Sequence, residues 1–124
     1  MILSNHALDA NVIPGISHKT LAGAEHGLSQ VAVWSQAMEP NSATPPHYHE
    51  CEEVVVVLEG EGVVLLGDQE HPFRAGDTMI IPPNLPHQII ARGDKPVRTM
   101  AAFGKAPVPT AFPDGTKIEL PWDR

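Results

Sequence analysis

The chain alternates short apolar runs with turn-forming residues, and its apolar spacing is that of strands rather than helices. Thr78–Ile81, His87–Ala91 and Val97–Phe103 are rich in β-branched or apolar residues and bounded by Gly, Pro, Asn or Asp, the pattern of strands closed by turns. The same reading places strands over Leu28–Met38, Glu53–Glu59, Val63–Leu66 and His71–Ala75, and a weaker one over Ser17–Ala22. Turns are expected at Ala24–Gly27, Gly60–Gly62, Gly67–Glu70, Ala75–Asp77 and Arg92–Lys95. Val54-Val55-Val56-Val57-Leu58 contains no polar position and predicts a strand buried on both faces. Residues 1–16 read as an N-terminal arm or edge strand, broken at Pro14-Gly15, and Glu39–Pro46 as a proline-rich loop. The segment from Gly104 to the end (104–124) is a proline-rich tail expected to pack across the fold or a partner. Many short strands, with no helical period and no internal repeat, predict one all-β domain spanning 1–124, a sandwich or barrel.

Polar residues cluster where this pattern is richest. His47 and His49 are two apart, and Glu53 follows four residues later. Side chains two apart on a strand share a face. The three therefore point the same way if the strand runs on or is only gently interrupted, while Glu50 and Glu52 face away. Two imidazoles and a carboxylate on one face are the beginning of a metal site. Downstream, Gly76-Asp77, a short apolar strand and the corner Pro82-Pro83-Asn84-Leu85-Pro86 lead to His87, a fourth candidate ligand.

These two stretches resemble the two motifs of the cupin superfamily. His47, His49, Glu53 and Gly60 fall on the positions of the first motif, and Gly76, Pro82 and His87 on those of the second. Asn41 and Asn84 stand where the motifs carry glycine, and Ala91 where they carry asparagine. Asn tolerates the left-handed backbone better than most residues other than Gly, so the first two departures are mild. The resemblance implies a single jelly-roll barrel, the double-stranded β-helix. Its mouth would hold one divalent transition metal (Mn, Fe, Ni, Cu or Zn) on His47, His49, Glu53 and His87. It also implies a small-molecule substrate or ligand and pairing into a homodimer. The leading expectation is a small metal-dependent, dioxygenase-like enzyme acting on an oxygenated organic molecule. The alternatives are a metal-containing binding protein without turnover, or a metal-dependent isomerase or lyase. No residue beyond the ligands is singled out as catalytic.

Composition narrows the field. With 124 residues, 42% hydrophobic, the chain suits one globular domain. A net charge of −7 without a basic cluster disfavours nucleic acid. No apolar run reaches membrane-spanning length, and the N-terminus has no recognisable signal sequence. Cys51 is the single cysteine; together these features predict a cytoplasmic protein. A regular strand would also aim Cys51 at the metal, but the motif does not use that position and a bend is expected there. His6, His18, His26 and His71 are taken as surface or loop residues. Trp34, Tyr48, Met100 and Phe103 are taken as core or pocket wall, and Arg98 as a solvated strand residue.

Overall fold

A computed structural model describes residues 1–122 of the chain. It is built of strands, with two single-turn 3-10 segments, Asn5–Ala7 and Ala24–His26, and no α-helix among the described residues. The strands are β1 (Asn11–Ile13), β2 (Ile16–Ala22), β3 (Ala32–Met38), β4 (Tyr48–His49), β5 (Glu53–Glu59), β6 (Glu61–Leu66), β7 (Gln69–Arg74), β8 (Thr78–Ile81), β9 (His87–Arg92), β10 (Val97–Phe103) and β11 (Thr110–Ala111). A six-stranded sheet runs β1-β2-β3-β10-β5-β8; a three-stranded sheet runs β7-β6-β9; β4 pairs with β11. All these pairings are antiparallel.

Register sorts the large sheet into rows, and the inner rows define the interior. One row is Ala32–Phe103–Glu53–Ile81, the next Thr20–Trp34–Ala101–Val55–Met79, then His18–Gln36–Thr99–Val57, then Ile16–Met38–Val97. Glu53 thus closes one end, and Ile16, Met38 and Val97, each no more than 5% exposed, close the other. Phe73, Val64 and Ile89 from the smaller sheet complete the core.

The valine run is buried on one face only, contrary to the sequence expectation. Val55 and Val57 are 1% exposed, whereas Val54, Val56 and Leu58 are 36%, 38% and 55% exposed. Their neighbours on that outer face are also apolar. Ile80 lies opposite Val54 and Met100 opposite Val56. Met100 therefore belongs to the outer surface, not the pocket wall. A continuous run of Val signalled strand correctly, but periodicity was silent on which face is covered. Other elements start or end within a few residues of expectation: β3 begins at Ala32 rather than Leu28, and Gln69 and Glu70 belong to β7 rather than to the turn before it.

Asn41 and Asn84 have φ of 65° and 64°, the left-handed conformation their motif positions require. Gly60 has φ 88°, and a Cβ there would collide with the Pro96 carbonyl, so this position accepts only glycine. The tail crosses the fold: β11 hydrogen-bonds to β4, and Ile118 to Trp122 line the cavity described below.

Candidate metal centre

Three local structures converge at the Glu53 end. His47 and His87 form an antiparallel bridge, His47 N–H donating to His87 O at 3.0 Å and His87 N–H to His47 O at 2.8 Å. The proline corner before β9 is held in place by Asn84 N–H donating to His49 O at 2.8 Å. His49 is in turn fixed by pairing of β4 with the tail strand β11. Between β4 and β5 the chain bends at Glu50–Cys51, so the strand of the sequence expectation is interrupted. Across the bend Glu53 is buried at 6% exposure and Glu50 and Glu52 remain exposed.

The ring nitrogens are divided by role. His47 Nδ1 lies 2.6 Å from Pro45 O, His87 Nδ1 2.9 Å from Leu85 O, and His49 Nδ1 3.0 Å from Thr110 Oγ1 and 3.3 Å from Pro109 O. A carbonyl only accepts, so Nδ1 carries the proton in each ring and Nε2 is left with a bare lone pair. The Thr110 hydroxyl fits the same scheme, donating onward to Val108 O at 3.2 Å. One ligand nitrogen from each of the three histidines lies within 4.8 Å of the others. His87 Nε2 and Glu53 Oε1 are buried without a hydrogen-bond partner among the described residues, yet lie 3.3 Å apart; His49 Nε2 is 3.5 Å from the same oxygen. Two acceptors facing each other with no proton between them are unfavourable unless a cation sits against both. The donor set therefore fits a divalent metal.

Burial is the main cause that lowers the pKa of His47 and His49, each to about 4. A positive charge on His87 would add to the lowering, and the carbonyls of Pro45 and Pro109 oppose it. At neutral pH both rings are therefore neutral, the form that binds metal.

The centre faces a cavity of about 180 Å³. Its walls are mainly apolar, with Trp34, Ile89, Leu120 and Trp122 among them, and Gln36 and Thr99 as polar points. Trp34 packs on Phe103 with ring centroids 4.3 Å apart, and Phe103 packs edge-on against His49 at 5.0 Å. The aromatic wall thus also orients a candidate ligand.

Other candidates fall outside the centre. Cys51 is buried at the bend, not in the histidine cluster, and burial raises its thiol pKa. Arg98 points outward, its Nε 3.1 Å from Glu59 Oε2. Tyr48, half-buried, alternates with the histidines on β4. His6 and His71 are exposed, and His26 accepts the Gly23 N–H at 3.1 Å. His18 is a correction: taken as surface or loop, it is 0% exposed on the inner face of β2. The signal available in the sequence was its alternation with Ile16 and Thr20, which was too short and too polar to read as a buried face.

Comparisons with known proteins place the chain in a family. Auxin-binding protein 1 from Arabidopsis thaliana is 37% identical over 105 residues, covering 77% of this chain and 53% of that protein. Auxin-binding protein T85 from Nicotiana tabacum is 32% identical over 130 residues, covering 88% and 70%. The chain spans about half the length of the first of these curated relatives. Among solved structures, the polyketide cyclase RemF from Streptomyces resistomycificus matches with a TM-score of 0.74 at 22% identity, over 99% of this chain and 88% of that one, a likeness of fold alone. The model of the Cupin domain matches residues 34–103, from the aromatic wall through the whole candidate metal centre to the end of β10, and the chain belongs to that family.

Proposed function

We propose that His47, His49, Glu53 and His87 hold one divalent transition metal, and that the protein binds a small molecule in the adjoining cavity through an oxygen donor on that metal. The observation that carries this reading is the convergence of bare Nε2 atoms on Glu53 Oε1, at one end of an apolar cavity. A metal bound there supplies Lewis acidity and open coordination positions. The chain's own residues do the rest. The carbonyls of Pro45 and Leu85 and the Thr110 hydroxyl orient the rings, and the apolar walls exclude water and receive an apolar body. Of the lining residues, those that ionise are the four candidate ligands and Glu119. Gln36, Thr44, Thr99 and Thr110 are neutral. That lining favours capture over proton transfer, and the relatives are named for binding a small molecule, auxin. Oxygenation is the second reading, because this donor set also accepts redox-active metals.

Metal analysis of freshly purified protein, followed by titration with Zn(II), Mn(II) and Fe(II), tests the site; no retained metal and no affinity below millimolar would sink it. Oxygen uptake by Fe- or Cu-loaded protein over enediols, diketones and flavonols orders the two readings. Uptake above the metal-free blank would put turnover first.

We further propose that the outer face of the large sheet pairs with a second copy. Ile80, Val54 and Ala102 form one outward row and Val56 and Met100 the next, and such a continuous apolar patch marks an interaction surface. A self-complementary face gives a closed two-fold dimer. Light scattering should report a dimer for the native chain and a monomer for Val56→Lys, with metal affinity unchanged; a native monomer would refute the pairing.

A further inference from the structure

His18 is fully buried and takes no part in the candidate metal centre. A buried imidazole is costly unless both nitrogens are satisfied. Here both are: Nε2 lies 2.8 Å from Thr20 Oγ1, and Nδ1 lies 2.9 Å from Gln36 Nε2. An amide nitrogen only donates. Nδ1 is therefore the acceptor, and Nε2 carries the ring proton and donates it to Thr20. Burial lowers the His18 pKa to about 3, so the ring stays neutral and keeps that lone pair at any working pH. Trp122 stacks on the ring, centroids 3.8 Å apart and planes at 14°, and Trp34 meets it edge-on at 4.9 Å.

The consequence falls on Gln36. It lies directly across from His18 in the β2–β3 register and lines the cavity. With one edge of its amide committed to His18, the other edge is left for the cavity, and that edge is the carbonyl. Turning the amide over sets Oε1 against Nδ1, and is satisfied only if the ring proton moves to Nδ1 and the Thr20 hydroxyl reverses to donate to Nε2, so amide, ring and hydroxyl turn together or not at all.

We propose that His18 is a positioning residue that holds the Gln36 amide with its carbonyl oxygen toward the cavity, so that the site selects small molecules carrying an N–H or O–H donor on the β3 side. This rests on the reading of the cavity as a small-molecule site. A ligand donor there completes a hydrogen bond; a ligand acceptor, or an apolar edge, meets an unshared lone pair. Without His18 the amide turns freely and discriminates little.

The test uses the Zn-loaded full chain and a positional series of indole carboxylates, each paired with the benzothiophene carboxylate of the same shape. The pairs differ in one ring N–H. Calorimetry should show at least one indole isomer binding roughly five- to ten-fold more tightly than its counterpart, the value of one net hydrogen bond. In His18→Phe, which keeps a ring to stack on Trp122, that advantage should fall to within about two-fold with Zn(II) affinity unchanged. In His18→Asn, whose side-chain oxygen replaces the Nδ1 acceptor, part of it should return, an outcome a purely structural role would not produce. Equal binding of both series by the native protein, or a preference that survives His18→Phe, overturns the inference and leaves the small-molecule reading standing. Binding of neither series removes that reading for aromatic carboxylates, and this inference with it. If His18→Phe does not fold, Gln36→Met must abolish the preference and Thr20→Val, which frees the tautomer, must weaken it; retention in either overturns the proposal.

Discussion

Histidines serve this cavity in two places, as lining at the candidate metal centre and behind the lining residue Gln36. At one, His47, His49 and His87 each engage Nδ1 with a backbone or hydroxyl oxygen and leave Nε2 bare, those of His49 and His87 within 3.5 Å of Glu53 Oε1. At the other, His18 engages both nitrogens, stacks on Trp122 and meets Trp34 edge-on. Burial is similar, 4% exposure for His49 against 0% for His18. Burial alone therefore does not mark a ligand. A histidine with one nitrogen tied and one lone pair aimed at a shared point is ready for metal. A histidine with both tied is a fixed support behind the wall.

The sharpest way to break this contrast is to remove the shared anion. Glu53→Gln keeps the volume and takes away the negative charge that two Nε2 atoms face. Losing a residue that merely supports a ligand costs roughly 10- to 100-fold in metal affinity, so losing a ligand should cost at least about 100-fold. His18→Phe should change metal affinity by less than a few-fold, because its effects stay at the far end. Competition against a chromophoric chelator measures both. Similar losses from the two variants would mean that the ends are not independent.

Acid should separate the ends next. The folded pKa values of His47 and His49, about 4, and of His18, about 3, lie below the ordinary 6.5. Between those values the unfolded chain takes up protons that the folded chain refuses. Stability is therefore complete above about pH 6.5 and is lost as pH falls toward 4 and then 3. Each pKa unit corresponds to about 1.4 kcal/mol, so His18 alone contributes a loss on the order of 5 kcal/mol between pH 6.5 and about 3. Burial already keeps His47 and His49 neutral above about pH 4, so bound metal should raise stability without changing the slope there, with release beginning only as pH approaches about 4. It should leave the His18 part untouched. Urea melts from pH 7 to pH 4, with and without Zn(II), should show parallel declines offset by the metal, and His18→Phe should make both declines shallower. A slope left unchanged by His18→Phe would contradict the assigned burial cost.

How far these two ends were legible in the sequence differs for a physical reason. The ligand end was readable because its residues lie close together in a recognisable motif, and because strand parity puts His47, His49 and Glu53 on one side. Parity held even though the strand breaks at Glu50–Cys51, since the bend returns the chain to the same face. Asn41 and Asn84 were readable as glycine substitutes because they stand at the glycine positions of the motifs that the chain resembles and Asn tolerates the left-handed backbone, and their positive φ angles agree. The His18 end was not readable. Its partners Gln36 and Trp122 are 18 and 104 positions away, and only the β2–β3 register and the returning tail bring them together. The two faces of β5 were illegible for a related reason: an all-valine run encodes strand but gives no alternation from which to assign inside and outside.

The smallest expected effect tests the parity argument from its other side. Glu52 is one residue from Glu53 and carries the same charge, but it is exposed. If its carboxylate is solvated, water and salt screen its field at the metal over a Debye length of about 8 Å at physiological ionic strength. Glu52→Gln should then change metal affinity by no more than about two- to three-fold, and the difference should shrink further as salt is raised. Titration at low and high salt, beside Glu53→Gln, measures this directly. A loss at Glu52 equal to or greater than that at Glu53 would mean that the bend at Glu50–Cys51 places Glu52, and not Glu53, against the histidines. The rest of the contrast between the two ends would then have to be rebuilt around a different anion.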